Sequence, residues 1–162
     1  MSVREPTTAN RATNSGGYWD FVRNGRGEDR VRTEIWAYVG YGSDIEKAMR
    51  EQEIHDMLER ATLGTLLHRE KGEITGGDVA AMSRAPGVFE LIWNQVGGFA
   101  GEERPVLFRL YFAEPPEVDE LLLGLFFSKK RVKPKREITT MQNEDIDEAG
   151  ARYKAWRGSR KA

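Results

Sequence analysis

The sequence predicts an α+β domain: an N-terminal strand and two helices packed on a twisted antiparallel sheet, followed by a C-terminal helix. Three observations predict it. Residues 88–95 (VFELIWNQ), 105–113 (PVLFRLYFA) and 120–127 (ELLLGLFF) are runs of branched and aromatic side chains with short connections, the pattern of antiparallel neighbours. Ser43-Asp-Ile-Glu46 has the spacing of a helix capping box, in which the serine hydroxyl and the Glu46 carboxylate satisfy exposed backbone N–H groups. Pro134 then stands where a last helix starts, because proline lacks only a donor that a first turn leaves unused.

Taken in chain order, residues 1–17 hold almost nothing to bury and are expected to form a flexible arm. The folded domain is expected over 18–157, with 158–162 as a tail. YWDFVR at 18–23 reads as a short first strand. Over 28–39 the apolar residues Val31, Ile35, Tyr38 and Val39 share one helical face, and Gly40 and Gly42 end that helix. A second helix begins near Asp44 and runs into the sixties, burying Ile54, Met57, Leu58 and Ala61. Residues 71–78 (KGEITGGD) form a turn-rich loop, and the Gly76-Gly77 pair lacks the spacing of a phosphate-binding fingerprint. Ile138, Met141, Ala149, Tyr153 and Trp156 mark the apolar stripe of the C-terminal helix, which Asp145 and Gly150 interrupt.

Composition narrows the chemistry. With 162 residues, the chain is long enough for one core and short for two. It has no cysteine, which excludes disulfides, thiolate ligands and cysteine nucleophiles. Two histidines, His55 and His68, show no metal-ligand spacing and read as packed or partly exposed helix residues, so neither metal nor cofactor is expected. The longest apolar run, 121–127, is strand-sized, and residues 1–17 lack the apolar segment of a signal peptide. No membrane association and a cytoplasmic location are the resulting expectations.

The net charge of −1 conceals an asymmetry. Acidic residues gather over 44–59 and 114–120, whereas six of the nine residues from Ser128 to Arg136 are basic and none is acidic. Such a run is either a solvated surface loop or an anion-binding surface. Strand alternation puts Arg109 and Tyr111 on one face of the middle run, opposite the apolar Val106, Phe108, Leu110 and Phe112. Metal-free RNA cleavage needs cations around the pentavalent phosphate, and arginine's donor fork suits phosphate oxygens. Tyr111 offers a ring for a base or a proton to donate. The bland alternative is an exposed strand arginine beside a rim aromatic.

The order of these features resembles the RelE/HigB superfamily of toxin ribonucleases. In its HigB-like members a Tyr/Phe-Glu-Leu-Arg strand precedes an Arg-x-x-Tyr-Phe type strand, an apolar strand, a Lys-Lys-x-x-Lys-x-Pro loop and a Lys/Arg-Glu-Ile helix. The matching segments are Val88-Phe-Glu-Leu-Ile92, Arg109-Leu-Tyr-Phe112, 121–127, Lys129-Lys-Arg-Val-Lys-Pro134 and Lys135-Arg-Glu-Ile138. The likeness covers residues 88–156, and 18–67 only as an order of strand, helix, helix. Ile92 occupies the place of the family arginine. The resemblance implies a RelE-like fold and the toxin of a toxin–antitoxin pair, cleaving mRNA on the ribosome and held by a cognate helix-turn-helix antitoxin. It makes Arg109, Lys130 and Tyr111 the candidate catalytic residues. Lys129, Arg131, Lys133, Lys135, Arg136 and Arg84 become the candidate phosphate contacts. Two other readings compete: a RelE/ParE-like protein that acts on gyrase or another protein without cutting RNA, and an accessory protein whose basic loop binds nucleic acid.

Overall fold

The computed structural model describes residues 11–40, 42–69, 78–93, 106–131 and 135–160, with positions 38–39, 106–107, 130–131 and 135–139 described by their backbone. Strand β1 (Tyr18–Phe21) is followed by α1 (Arg30–Val39) and α2 (Asp44–Thr62). Then come β2 (Val79–Ala81), β3 (Val88–Trp93), β4 (Val106–Ala113), β5 (Leu121–Arg131) and α3 (Lys135–Arg160). The five strands form one sheet in the order β1-β5-β4-β3-β2. β2 to β5 are antiparallel neighbours, as their short connections predict. The expected all-antiparallel sheet is corrected at one edge, where β1 runs parallel to β5 and makes the sheet mixed. The two-helix excursion between β1 and the rest returns the chain far enough to permit that parallel pairing.

Local sequence explains most boundaries. Asp29 caps α1 by accepting the Arg32 N–H at 2.9 Å. Ser43 caps α2 by accepting the Glu46 N–H at 3.2 Å, while its own hydroxyl donates to the Glu46 carboxylate at 3.1 Å. The box therefore closes through the side chains. β2 lies beyond what the sequence predicts, because its three residues are too short for a periodicity. The loop expected over 71–78 lies, apart from Asp78, outside the described residues.

Residues 11–17, expected to belong to a flexible arm, are bound to the domain. They make one helical turn in which Ala12 is buried. Arg11 donates to the carbonyls of Leu121 and Pro115 at 2.6 and 3.0 Å, and the Ala12 N–H donates to Glu114 at 2.8 Å. A short polar segment is thus held by hydrogen bonds that composition cannot reveal. At the other terminus α3 continues to Arg160, into the expected tail.

Both faces of the sheet are covered. Phe108, Leu110 and Phe112 of β4 point toward α2, where Phe108 stacks on Phe127 at 5.7 Å and Trp93 meets Phe127 edge-on at 6.1 Å. Two indole N–H groups tie this face to α2: Trp19 donates to the Leu58 carbonyl at 2.9 Å and Trp93 to that of Glu53 at 3.3 Å. The opposite face lies beneath α3, whose Ile146, Ala149 and Tyr153 are buried. Arg152 clamps three elements, donating to Glu34 of α1 at 2.7 Å, to Glu148 at 2.9 Å and to the Leu125 carbonyl of β5 at 2.9 Å. Gly124 lets β1 approach β5: a Cβ there would overlap the Phe21 ring.

Candidate functional site

Alternation along β4 sends Arg109 and Tyr111 to the α3 side, and there the site is built from residues of β3, β4, β5 and α3. Arg109 is paired in register with Ile92 of β3 and Ser128 of β5. Its Nε meets Glu90 Oε1 at 2.8 Å, with only 11% of the Arg109 side chain and 4% of the Glu90 side chain exposed. Its Nη1 donates to the carbonyls of Phe108 at 3.0 Å and Trp93 at 3.2 Å. Nη2 has no acceptor among the described residues. Burial pulls the Arg109 pKa down and Glu90 pulls it up, with nearby Arg69 adding to the downward pull. An arginine remains a cation throughout. The other Glu90 oxygen accepts from Gln142 of α3 at 2.9 Å, so the carboxylate that orients Arg109 is itself oriented.

Tyr111 lies deeper. It is fully buried, and its ring stacks on Phe126 at 6.3 Å. Its hydroxyl has no hydrogen-bond partner among the described residues. Burial pushes the phenol's pKa up, and the carboxylates of Glu90 and Asp145 push it further, so Tyr111 stays neutral across the physiological range. In this arrangement its ring presents no face to a base. Beside it Ser128 donates to Asp145 of α3 at 2.7 Å.

The basic segment divides. β5 continues through Arg131, so Lys129, Lys130 and Arg131 belong to the strand and not to the expected loop. Lys129 pairs with Phe108 and shares its face, opposite that of Arg109. Lys130 and Arg131 pair through their backbones with Leu107 and Val106. Lys133 lies outside the described residues, and Lys135 and Arg136 open α3. Lys130, Arg131, Lys135 and Arg136 lie, by their backbones, at the end of the sheet where the Arg109 Nη1 reaches Trp93, the last residue of β3. Arg84 is elsewhere. It precedes β3 and forms a two-point ion pair with Asp147 at 2.7 and 2.8 Å. The structure therefore brings Arg109 and Tyr111 together, sets the backbones of Lys130, Arg131, Lys135 and Arg136 at the same end of the sheet, turns Lys129 to the opposite face and leaves Arg84 apart.

Sequence reasoning missed Glu90, Gln142, Ser128 and Asp145 as members of this cluster, and Arg69 as a neighbouring cation. Glu90 carried the clearest signal, since a carboxylate inside an apolar run predicts a buried cationic partner. Asp145 interrupts the α3 stripe for a similar reason. Nothing in the sequence pattern marks Arg69.

Among the described residues no group of three or more acidic or histidine side chains is placed to hold a metal, and no helix is long and apolar enough to cross a membrane. No protein-family model matches the chain, and comparisons with curated proteins and with solved structures find no match.

Proposed function

We propose that this chain is a RelE/HigB-like toxin that cleaves mRNA on the ribosome without a metal, and that a cognate antitoxin controls it. The observation that carries the reading is the fixing of Arg109. Glu90 takes the Nε and two strand carbonyls take the Nη1 of its guanidinium, and Nη2 is left without an acceptor among the described residues. A cation preorganised in this way stabilises the charge that develops on a pentavalent phosphate at little reorganisation cost. Lys130, with Arg131, Lys133, Lys135 and Arg136, supplies a positive field that draws in the RNA backbone, while Lys129 faces the other side of the sheet. Tyr111, neutral and buried against Phe126, takes no part as a stacking ring or a proton donor.

The test is expression of the chain without a partner protein, with translation and transcript integrity followed together. Arrest with shortened transcripts supports the reading, and Arg109→Lys, which keeps a cation for Glu90 but removes the fork, abolishes the cleavage.

A second reading is favoured by Ile92, which is buried directly across from Arg109 where the resemblance implies another cation. In it the chain arrests growth by binding gyrase or another protein and cuts no RNA. Arrest with intact transcripts and DNA-damage signalling selects this reading.

A further inference from the structure

A cleft of about 400 Å³ opens between the turn that joins β1 to α1 and the last turns of α3, away from Arg109. Its walls combine groups that the Arg109 site does not use. Trp156 is half-buried, with its ring 6.2 Å from that of Tyr153 and the Arg160 guanidinium 4.9 Å from its centroid. Arg23 lines the opposite wall. It donates to the Gly27 carbonyl at 3.0 Å and forms no ion pair among the described residues. Arg30, 42% exposed, reaches Glu148 alone among the described residues, at 3.9 Å. Arg152 closes the back, but Glu34, Glu148 and the Leu125 carbonyl occupy its donors. Asp20 is exposed on the rim and uses one oxygen to accept the Phe21 N–H. A Cβ at Gly25 would meet nothing, so the mouth is open.

A bare anion would satisfy Arg23 and Arg30 but would be repelled by Asp20 and would leave the indole unused. An apolar ligand would leave two arginines without acceptors. A ribonucleotide fits all of these groups: its base stacks on Trp156, its phosphate meets Arg23 and Arg30, and a ribose hydroxyl donates to Asp20. We propose that this cleft holds an unpaired ribonucleotide of single-stranded RNA. The inference rests on the proposed function only in taking RNA as the ligand. The cleft lies about 21 Å along α3 from Gln142, so it would grip a segment flanking the one at Arg109.

The experiment measures binding of a short labelled single-stranded oligoribonucleotide to the full chain by fluorescence anisotropy. The Arg109→Lys background prevents cleavage. Exchanging both exposed arginines, Arg23→Gln with Arg30→Gln, is expected to weaken binding by at least about tenfold, since two charge-assisted contacts are lost. Trp156→Phe, which keeps an aromatic packed on the core, is expected to remove the RNA-induced quenching of tryptophan emission. The matching oligodeoxyribonucleotide should bind more weakly, and Asp20→Asn should narrow that difference. Unchanged RNA affinity in the double variant overturns the proposal. So does quenching by adenosine monophosphate from a chain that does not bind the oligoribonucleotide, which would make this a mononucleotide site. Cleavage assays in the Arg109 background separate the two ideas: RNA held through Arg23 and Arg30 but never cut defeats the ribonuclease reading alone. RNA cut with affinity indifferent to both arginines defeats this inference alone.

Discussion

Arg109 does two jobs that ordinary alanine scanning would confuse. It neutralises Glu90, whose carboxylate is buried in the sheet, and it keeps its Nη2 without an acceptor among the described residues. Arg109→Ala is therefore expected to cost about 3–5 kcal/mol, because it strands a buried carboxylate. Arg109→Lys should melt close to wild type in urea while losing the proposed RNA cleavage. Equal melts for the alanine variant and the wild type would show that Glu90 does not depend on this partner. Tyr111 gives a contrasting expectation. Its hydroxyl is buried without a hydrogen-bond partner, so Tyr111→Phe should stabilise the fold by about 1 kcal/mol, read from the urea midpoint. Its folded pKa is raised, so the stability linked to its protonated form is fully present below the unfolded value of about 10 and is lost as the pH rises past it. Wild-type stability should fall over that alkaline range more steeply than that of Tyr111→Phe.

At the scale of elements, the parts legible in the sequence were those whose signals are local. The capping box at Ser43, the three strands after residue 88 and the alternation of β4 follow from spacing alone. The register of β5 was less legible, because lysine and arginine disguise a strand that continues to Arg131. The covering of the Arg109 face by α3 was hidden for a related reason. Gln142 and Asp145 look like residues of a solvated helix face, yet they reach Glu90 and Ser128. A polar helix–sheet contact leaves no hydrophobic periodicity to read. The parallel pairing of β1 depends on a close approach that only Gly124 permits, and Gly124→Ala should destabilise the domain by about 1–3 kcal/mol through overlap with Phe21. An unchanged thermal midpoint for that variant would mean that β1 lies farther from β5 than described.

Across the whole molecule, a net charge of −1 hides a division of labour. α2 carries acidic residues on one side of the sheet, and the sequence from Lys129 to Arg136, which runs from β5 into α3, carries six basic residues. RNA affinity should accordingly depend on salt far more than the total charge suggests. If the five cations other than Lys129 meet phosphates, the logarithm of affinity should fall with that of salt with a slope of about −3.5 for a single strand. A slope near zero would remove the segment from any phosphate-binding role. The central claim is that Arg109 serves phosphate chemistry, and the most direct measurement is transcript integrity in a translating extract given either the wild-type chain or Arg109→Lys at matched folded concentration. Cut mRNA is expected with the wild type and intact mRNA with the lysine variant. Arrest by the wild type over intact mRNA, or equal cutting by both chains, would contradict that claim.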